Sequence, residues 1–144
     1  MSKMIREVMT RDVEVIRPRD TLRLAAEKMR GMDVGPLPVC DGQRLVGMLT
    51  DRDIVVRAVA RGLEPQSTLV SEAMSTGIEY CFDDEEADDV LDRMQDKQLR
   101  RLVVLDRNKQ LVGIVALADL SKALEEHEVG RALMGISEPS DLNY

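Results

Sequence analysis

Tryptophan is absent from this chain, and Tyr80, Phe82 and Tyr144 are the only aromatic residues among 144. A core must therefore be assembled from Val, Leu, Ile, Ala and nine Met, and large aromatic stacking platforms are excluded. Histidine occurs once, at His127, and cysteine twice, at Cys40 and Cys81, with no Cys-x-x-Cys spacing. That set is too sparse for a zinc site, so no metal is expected, and two reduced thiols fit a reducing compartment. No apolar run approaches the roughly 18 residues of a spanning helix. The start, Met1-Ser2-Lys3-Met4-Ile5-Arg6-Glu7, carries an acid and no apolar stretch, so it does not read as a signal peptide. A cytoplasmic protein with no membrane contact is expected. No Ser–His–Asp or Cys–His set and no Walker A loop is present, so no catalytic residue and no enzyme activity is expected.

Positive charge is scarce in one half only. Residues 1–65 hold 12 Lys/Arg against 10 Asp/Glu, whereas residues 66–144 hold 8 against 17, for a net charge of −7. An acidic total argues against nucleic acid, whose binding depends on neutralising phosphates. At 16.2 kDa the chain can form one compact domain or two small units that share a core.

What is present is a repeat. A shift of 65 residues lays Met4-Ile5-Arg6-Glu7-Val8-Met9-Thr10 on Leu69-Val70-Ser71-Glu72-Ala73-Met74-Ser75, and Leu37-Pro38-Val39-Cys40-Asp41 on Leu102-Val103-Val104-Leu105-Asp106. One extra residue within Arg107-Asn108-Lys109-Gln110 moves the shift to 66, and Leu45-Val46-Gly47 then falls on Leu111-Val112-Gly113 and Asp53 on Asp119. From Met4 to Ile54 there are 11 identities in 51 aligned positions, with apolar character matched at most others.

Each copy carries the same order of patterns. Val13-Glu14-Val15-Ile16 alternates as a half-buried strand does. Asp20-Thr21, or Asp83-Asp84-Glu85-Glu86, then starts a helix, where hydroxyl or acidic residues suit the N-terminus. Apolar faces follow at helical spacing: Leu22, Ala25, Ala26 and Met29, ended by Gly31, and Ala87, Val90, Leu91 and Met94. Met29, Met32, Met94 and Met134 read as core. Two apolar runs about a turn form a hairpin, with Asp41-Gly42 as its signal in the first copy. Helices over about Asp51–Arg61, stopped by Gly62, and about Leu117–His127 close the copies. The expected fold class is α+β, two β-α-β-β-α repeats over 4–62 and 69–128, with a linker at 63–68 and a loose tail at 129–144. His127, among Glu125, Glu126 and Glu128, reads as a surface residue.

The stretch Gly47-Met48-Leu49-Thr50-Asp51-Arg52-Asp53 carries the chemistry. Thr50-x-x-Asp53 reads either as a helix capping box or as a carboxylate at a helix start that accepts two hydrogen bonds from a ribose cis-diol. The second copy, Ala116-Leu117-Ala118-Asp119, keeps the acid and lacks the hydroxyl. Arg100-Arg101 is either a solvated edge or a phosphate contact.

The paired Glu-Val-Met-Thr and Glu-Ala-Met-Ser openings, the Leu-Pro-Val and Leu-Val-Val strands, the two Leu-Val-Gly strand starts and the closing Thr-x-x-Asp resemble a tandem pair of CBS domains over about residues 4–128. The resemblance is nearest to small stand-alone members. It implies a pseudo-twofold pair packed through its sheets, with two clefts between the copies that take adenosine nucleotides such as AMP, ADP or ATP. It also implies two such pairs in a flat disc, a homodimer. Carried over by position, the first cleft would use Thr50, Asp53 and Met48, facing Leu99 and Arg100. The second would use Asp119 and Ile114, with Met9, Val34 and Gly35 opposite, and Arg101 where a family member places a phosphate-binding Arg. Ala116 departs from the expected Ser/Thr. Glu14 and Glu79 fall near base-lining positions. The implied function is a ligand sensor read by an effector protein, with no required cofactor; the alternative is a constitutive scaffold with degenerate clefts.

Overall fold

The computed structural model describes residues 3–133, with side chains through Glu126. His127, Met134 and the tail expected at 129–144 have side chains or backbone outside the described residues. In chain order the helices are α1 (Ile5–Val8), α2 (Leu22–Met32), α3 (Asp51–Arg57), α4 (Val70–Ala73), α5 (Ala87–Asp96) and α6 (Leu117–Leu133). The strands are β1 (Leu37–Asp41), β2 (Arg44–Leu49), β3 (Tyr80–Phe82), β4 (Arg101–Leu105) and β5 (Leu111–Ala116). Two compact units result: one holds the chain up to Arg11, Tyr80–Arg107 and the chain from Val112 on, the other Asp12–Glu79 with Asn108–Leu111. The units are thus not the two sequence repeats. Each has taken in the opening segment of the other repeat.

In the unit built on the first repeat, the hydroxyl of Thr21 accepts from the Leu24 N–H at 3.2 Å and starts α2. Leu22, Ala25 and Met29 are buried. Ala26 and Met32, expected in the core, are exposed, because the buried stripe of this short helix is one residue wide on each turn. Gly31 does not end α2. Asp33 does, in the left-handed region at φ 53°, which Asp tolerates better than most residues. Gln98 takes the same conformation after α5, at φ 57°.

The expected strand Val13–Ile16 shrinks to a single bridge. Ile16 donates to the Pro38 carbonyl at 3.0 Å and accepts from the Cys40 N–H at 2.9 Å. The next N–H, that of Arg17, is already turned onto Asp20 Oδ2 at 2.9 Å, and Pro18 has none to offer. β1 and β2 pair antiparallel through a two-residue turn in which Gly42 has φ 66°. The closing helix expected over Asp51–Arg61 is broken at Ala58, whose φ of −118° and burial turn the chain inward before a short 3-10 turn, Val59–Arg61, and Gly62 at φ 75°. Three successive β-branched residues, Ile54, Val55 and Val56, weaken this helix. The 63–68 stretch lies against α2, with Leu22 N–H donating to Thr68 O at 2.9 Å and Arg23 N–H to Pro65 O at 3.1 Å.

α4 completes this unit. Glu72 accepts from Leu69 N–H at 2.7 Å, Val70 and Ala73 enter the core beside Leu22, Leu49 and Ile16, and Ser75 and Met48 exchange hydrogen bonds at 2.8 and 2.9 Å. Gly47 makes the approach work: a Cβ there would stand 2.5 Å from Met74 Sδ.

The other unit repeats the scheme with the roles reversed. Glu7 accepts from Met4 N–H at 2.7 Å, Ile5 enters the core beside Val90, Met94 and Leu120, and Thr10 and Ile114 exchange hydrogen bonds at 2.8 and 3.0 Å. Gly113 faces Met9 as Gly47 faces Met74. β3 pairs parallel with β4, and β5 lies on the other side of β4 in a three-stranded sheet. Each fully buried Leu, Ile, Val or Met in these two aliphatic cores contributes about 1.5–3 kcal/mol, which replaces what aromatics supply elsewhere. α6 runs to Leu133, past the end expected near His127, since Arg131, Ala132 and Leu133 are good helix formers.

Candidate functional site

Thr50 leaves β2 in extended conformation, φ −113° and ψ 162°, and its hydroxyl accepts from the Asp53 N–H at 3.0 Å. Asp53 Oδ2 accepts in return from the Thr50 N–H, also at 3.0 Å. The capping box is therefore complete, as one of the two readings of this motif required. Asp53 Oδ1 remains, with Arg57 Nε at 3.8 Å and 16% of the side chain exposed. Arg57 also donates to the Met74 carbonyl at 3.2 Å and so joins α3 to the exchanged segment. Sequence reasoning passed over this residue, although the Asp53–Arg57 i,i+4 spacing signals it.

Gly35 lies against the same helix start. Its carbonyl accepts from Asp51 N–H at 3.2 Å, and a Cβ on it would come within 3.0 Å of Asp51 Oδ1. Thr50, Asp53, half-buried Met48, Val34 and Gly35 thus belong to one unit, within one or two contacts of the α3 N-terminus.

The other unit holds Met9, Leu99, Arg100, Arg101, Ile114 and Asp119. Arg100 is the positional equivalent of Gly35, and its carbonyl accepts from Leu117 N–H at 2.8 Å, at the start of the helix that carries Asp119. That bond is the counterpart of the Asp51 N–H to Gly35 carbonyl contact, and Ala116 supplies no hydroxyl of the kind that Thr50 offers to the Asp53 N–H. Asp119, Arg100 and Arg101 are exposed, Leu99 is half-buried against the core, and Ile114 is tied to Thr10 beside Met9. Glu14 is held by Lys28 at 2.9 Å.

Both thiols are buried, and burial pushes Cys40 up to about 11 and Cys81 up to about 12, the latter with a further rise from Glu85. Among the described residues no three of His, Cys, Asp and Glu stand together as a metal site requires, and no helix is long and apolar enough to cross a membrane.

The sequence profile of the CBS domain matches residues 5–59 and again 70–126. This chain belongs to the CBS-domain family. The chain is 38% identical over 138 residues to hypoxic response protein 1 of Mycobacterium tuberculosis, covering 95% of this chain and 96% of that one. The CBS domain-containing protein YhcV of Bacillus subtilis is 40% identical over 134 residues, with 92% and 94% covered. The crystal structure of hypoxic response protein I with two coordinated zinc ions superposes with a TM-score of 0.74, covering 85% of this chain and 99% of that one at 38% identity. The crystal structure of CBSX2 in complex with AMP shares the fold, with a TM-score of 0.74 at 21% identity over 87% and 98% of the chains. CBS domains are as a rule regulatory rather than catalytic modules.

Proposed function

We propose that this CBS pair is a non-catalytic sensor of an adenosine nucleotide, AMP, ADP or ATP. Thr50, Asp53 and Met48 hold the nucleotide at the first site, and Asp119, Ile114 and Met9 at the second. Arg100 and Arg101 supply charge for phosphate; Leu99, Val34 and Gly35 supply an aliphatic, close-fitting wall for the base. The observation that carries this reading is the remaining oxygen of Asp53. The capping box uses Oδ2 and fixes the carboxylate, so Oδ1 is presented in one orientation to a ribose hydroxyl. A carboxylate fixed before binding loses little side-chain entropy on binding.

The second repeat supports the same reading from the other side. Asp119 has no hydroxyl partner at Ala116 and completes no box, yet an acid stands there. Signalling follows from preference alone: the nucleotide shifts the protein toward the arrangement it binds better, by no more than that difference in affinity, and an effector protein reads the result. We place the protein in the cytoplasm as a homodimer. The scaffold reading draws on Ala116, which leaves the second site without one of its expected ligands.

A panel of AMP, ADP, ATP, NAD and S-adenosylmethionine in a thermal-shift assay tests the proposal. An adenosine nucleotide at 100 times its Kd raises stability by about 2.7 kcal/mol. No shift at millimolar concentration of any of the five leaves the scaffold reading in possession.

A further inference from the structure

Negative charge around the Asp53 carboxylate exceeds what its surroundings need. Asp51 and Asp53 both stand in the first turn of α3, and Asp33 lies two residues before Gly35, whose carbonyl receives the Asp51 N–H. Asp33 and Asp51 make no ion pair among the described residues. A nucleotide would bring its phosphate charge to this neighbourhood, where like charges repel. Among the described residues Arg57 alone forms an ion pair with any of the three acids.

The pairing has a particular form. Arg57 Nε stands 3.8 Å from Asp53 Oδ1, beyond hydrogen-bond distance, so it balances the charge and leaves the lone pairs of Oδ1 to a ribose hydroxyl. The guanidinium is held elsewhere, by the bond that Nη1 donates to the Met74 carbonyl at 3.2 Å. Met74 ends α4 in extended conformation, its side chain lies against Gly47, and Ser75 after it exchanges backbone hydrogen bonds with Met48. β2 runs from Met48 into Thr50, so one frame fixes both the carboxylate and its cation. The second repeat lacks the device. Ala123 stands four residues after Asp119, where Arg57 follows Asp53, and Asp119 makes no ion pair among the described residues. An exposed i,i+4 pair does little for stability, so a role for Arg57 is to be read in binding rather than in melting.

We propose that Arg57 is a positioning residue of the Asp53 site, and that its charge sets the site's preference for a phosphorylated adenosine over the bare nucleoside. The inference rests on the nucleotide reading above and names the residue that governs it. Arg57 acts through Asp53: it offsets the carboxylate charge and leaves the ribose contact intact. Without it Asp33, Asp51 and Asp53 are uncompensated, and a ligand carrying phosphate is disfavoured against the same ligand without it.

Isothermal titration of the full chain with AMP and with adenosine tests this, on wild type, Arg57→Gln and Arg57→Lys. Circular dichroism melting first establishes that both variants fold, as expected for a side chain that is 49% exposed. Arg57→Gln should weaken AMP by about fivefold or more and adenosine by less than about twofold. Arg57→Lys keeps the charge and should hold AMP to within about twofold of wild type, since the contact with Asp53 is one of charge and not a paired hydrogen bond. The gap between wild type and Arg57→Gln should narrow when the salt is raised from about 0.05 to 0.5 M. Equal losses for AMP and adenosine, a loss that lysine does not restore, or no loss at all overturns the assignment of Arg57 and leaves the nucleotide reading standing. Wild type that binds neither ligand at millimolar concentration overturns the nucleotide reading, and this inference with it.

Discussion

Replacing Gly113 by alanine tests the exchange of opening segments on which both units depend. A Cβ at Gly113 would stand 2.6 Å from Met9 Sδ and 2.8 Å from the Thr10 carbonyl oxygen. The sulfur ends a flexible side chain and can swing away. The oxygen cannot, because it accepts from Ile114 N–H at 3.0 Å and moving it strains the bridge that holds the first segment. Gly47→Ala is the matched control. There the close contact is Met74 Sδ at 2.5 Å, while the Ser75 carbonyl stands back at 3.1 Å and needs to give only a few tenths of an ångström. Overpacking against backbone costs about 1–3 kcal/mol, and the loss of unfolded-state entropy on Gly→Ala returns about 0.4–1 kcal/mol. Gly113→Ala should therefore lose about 1–2 kcal/mol, and Gly47→Ala about 1 kcal/mol or less. With about 2–4 °C of Tm per kcal/mol in a chain of this size, thermal melting separates the two. Gly113→Ala melting at the wild-type temperature, or above Gly47→Ala, refutes the packing of residues 4–10 on the second repeat.

Further predictions follow from single contacts. Thr50→Ala removes the acceptor of the Asp53 N–H and should cost about 1 kcal/mol in denaturant unfolding, whereas Asp53→Asn keeps an oxygen for the Thr50 N–H and should cost less than half of that. The Arg107 guanidinium, bonded to both oxygens of Asp84 and stacked 4.1 Å over Phe82, holds the Asp84 carboxyl below its ordinary value of 3.8. A lowered pKa stabilises the folded state above the ordinary value and loses that contribution as pH falls through the folded one, so NMR titration of Asp84 should move up in Arg107→Ala. Cys40 and Cys81, raised to about 11 and about 12, should react with a thiol reagent at pH 8 only on unfolding; rapid native labelling of either contradicts its burial.

Local signals in the chain were read with success where the cause was local. The Asp41–Arg44 turn, the Thr21 cap and the Thr50–Asp53 box each depend on residues within four positions of one another. The exchange of α1 and α4 was not legible, because self-similarity reports that Met9 and Met74 are equivalent and says nothing of which glycine each one meets. Gly31 misled for a related reason: a glycine permits a left-handed residue without requiring it, and the C-cap fell two positions later at Asp33, where Val34 N–H reaches back to Met29 O at 3.0 Å. The helix expected over Asp51–Arg61 breaks at Ala58, which is buried, while Val55, Val56 and Val59 are exposed and Ile54 packs on the core. At the candidate site, the repeat singled out Asp53 and Asp119, while Arg57 and the Gly35–Asp51 contact emerged only with the backbone in place.

Isothermal titration of the full chain with AMP, alongside Asp53→Asn and Asp119→Asn, puts the central claim to the most direct test. Asp53→Asn retains the helix cap, so a change in binding is separable from a change in folding. The account predicts saturable heat in wild type, a loss of about tenfold or more in affinity at Asp53→Asn with the melting temperature nearly unchanged, and a smaller loss at Asp119→Asn. Binding to wild type and Asp53→Asn with equal affinity contradicts it.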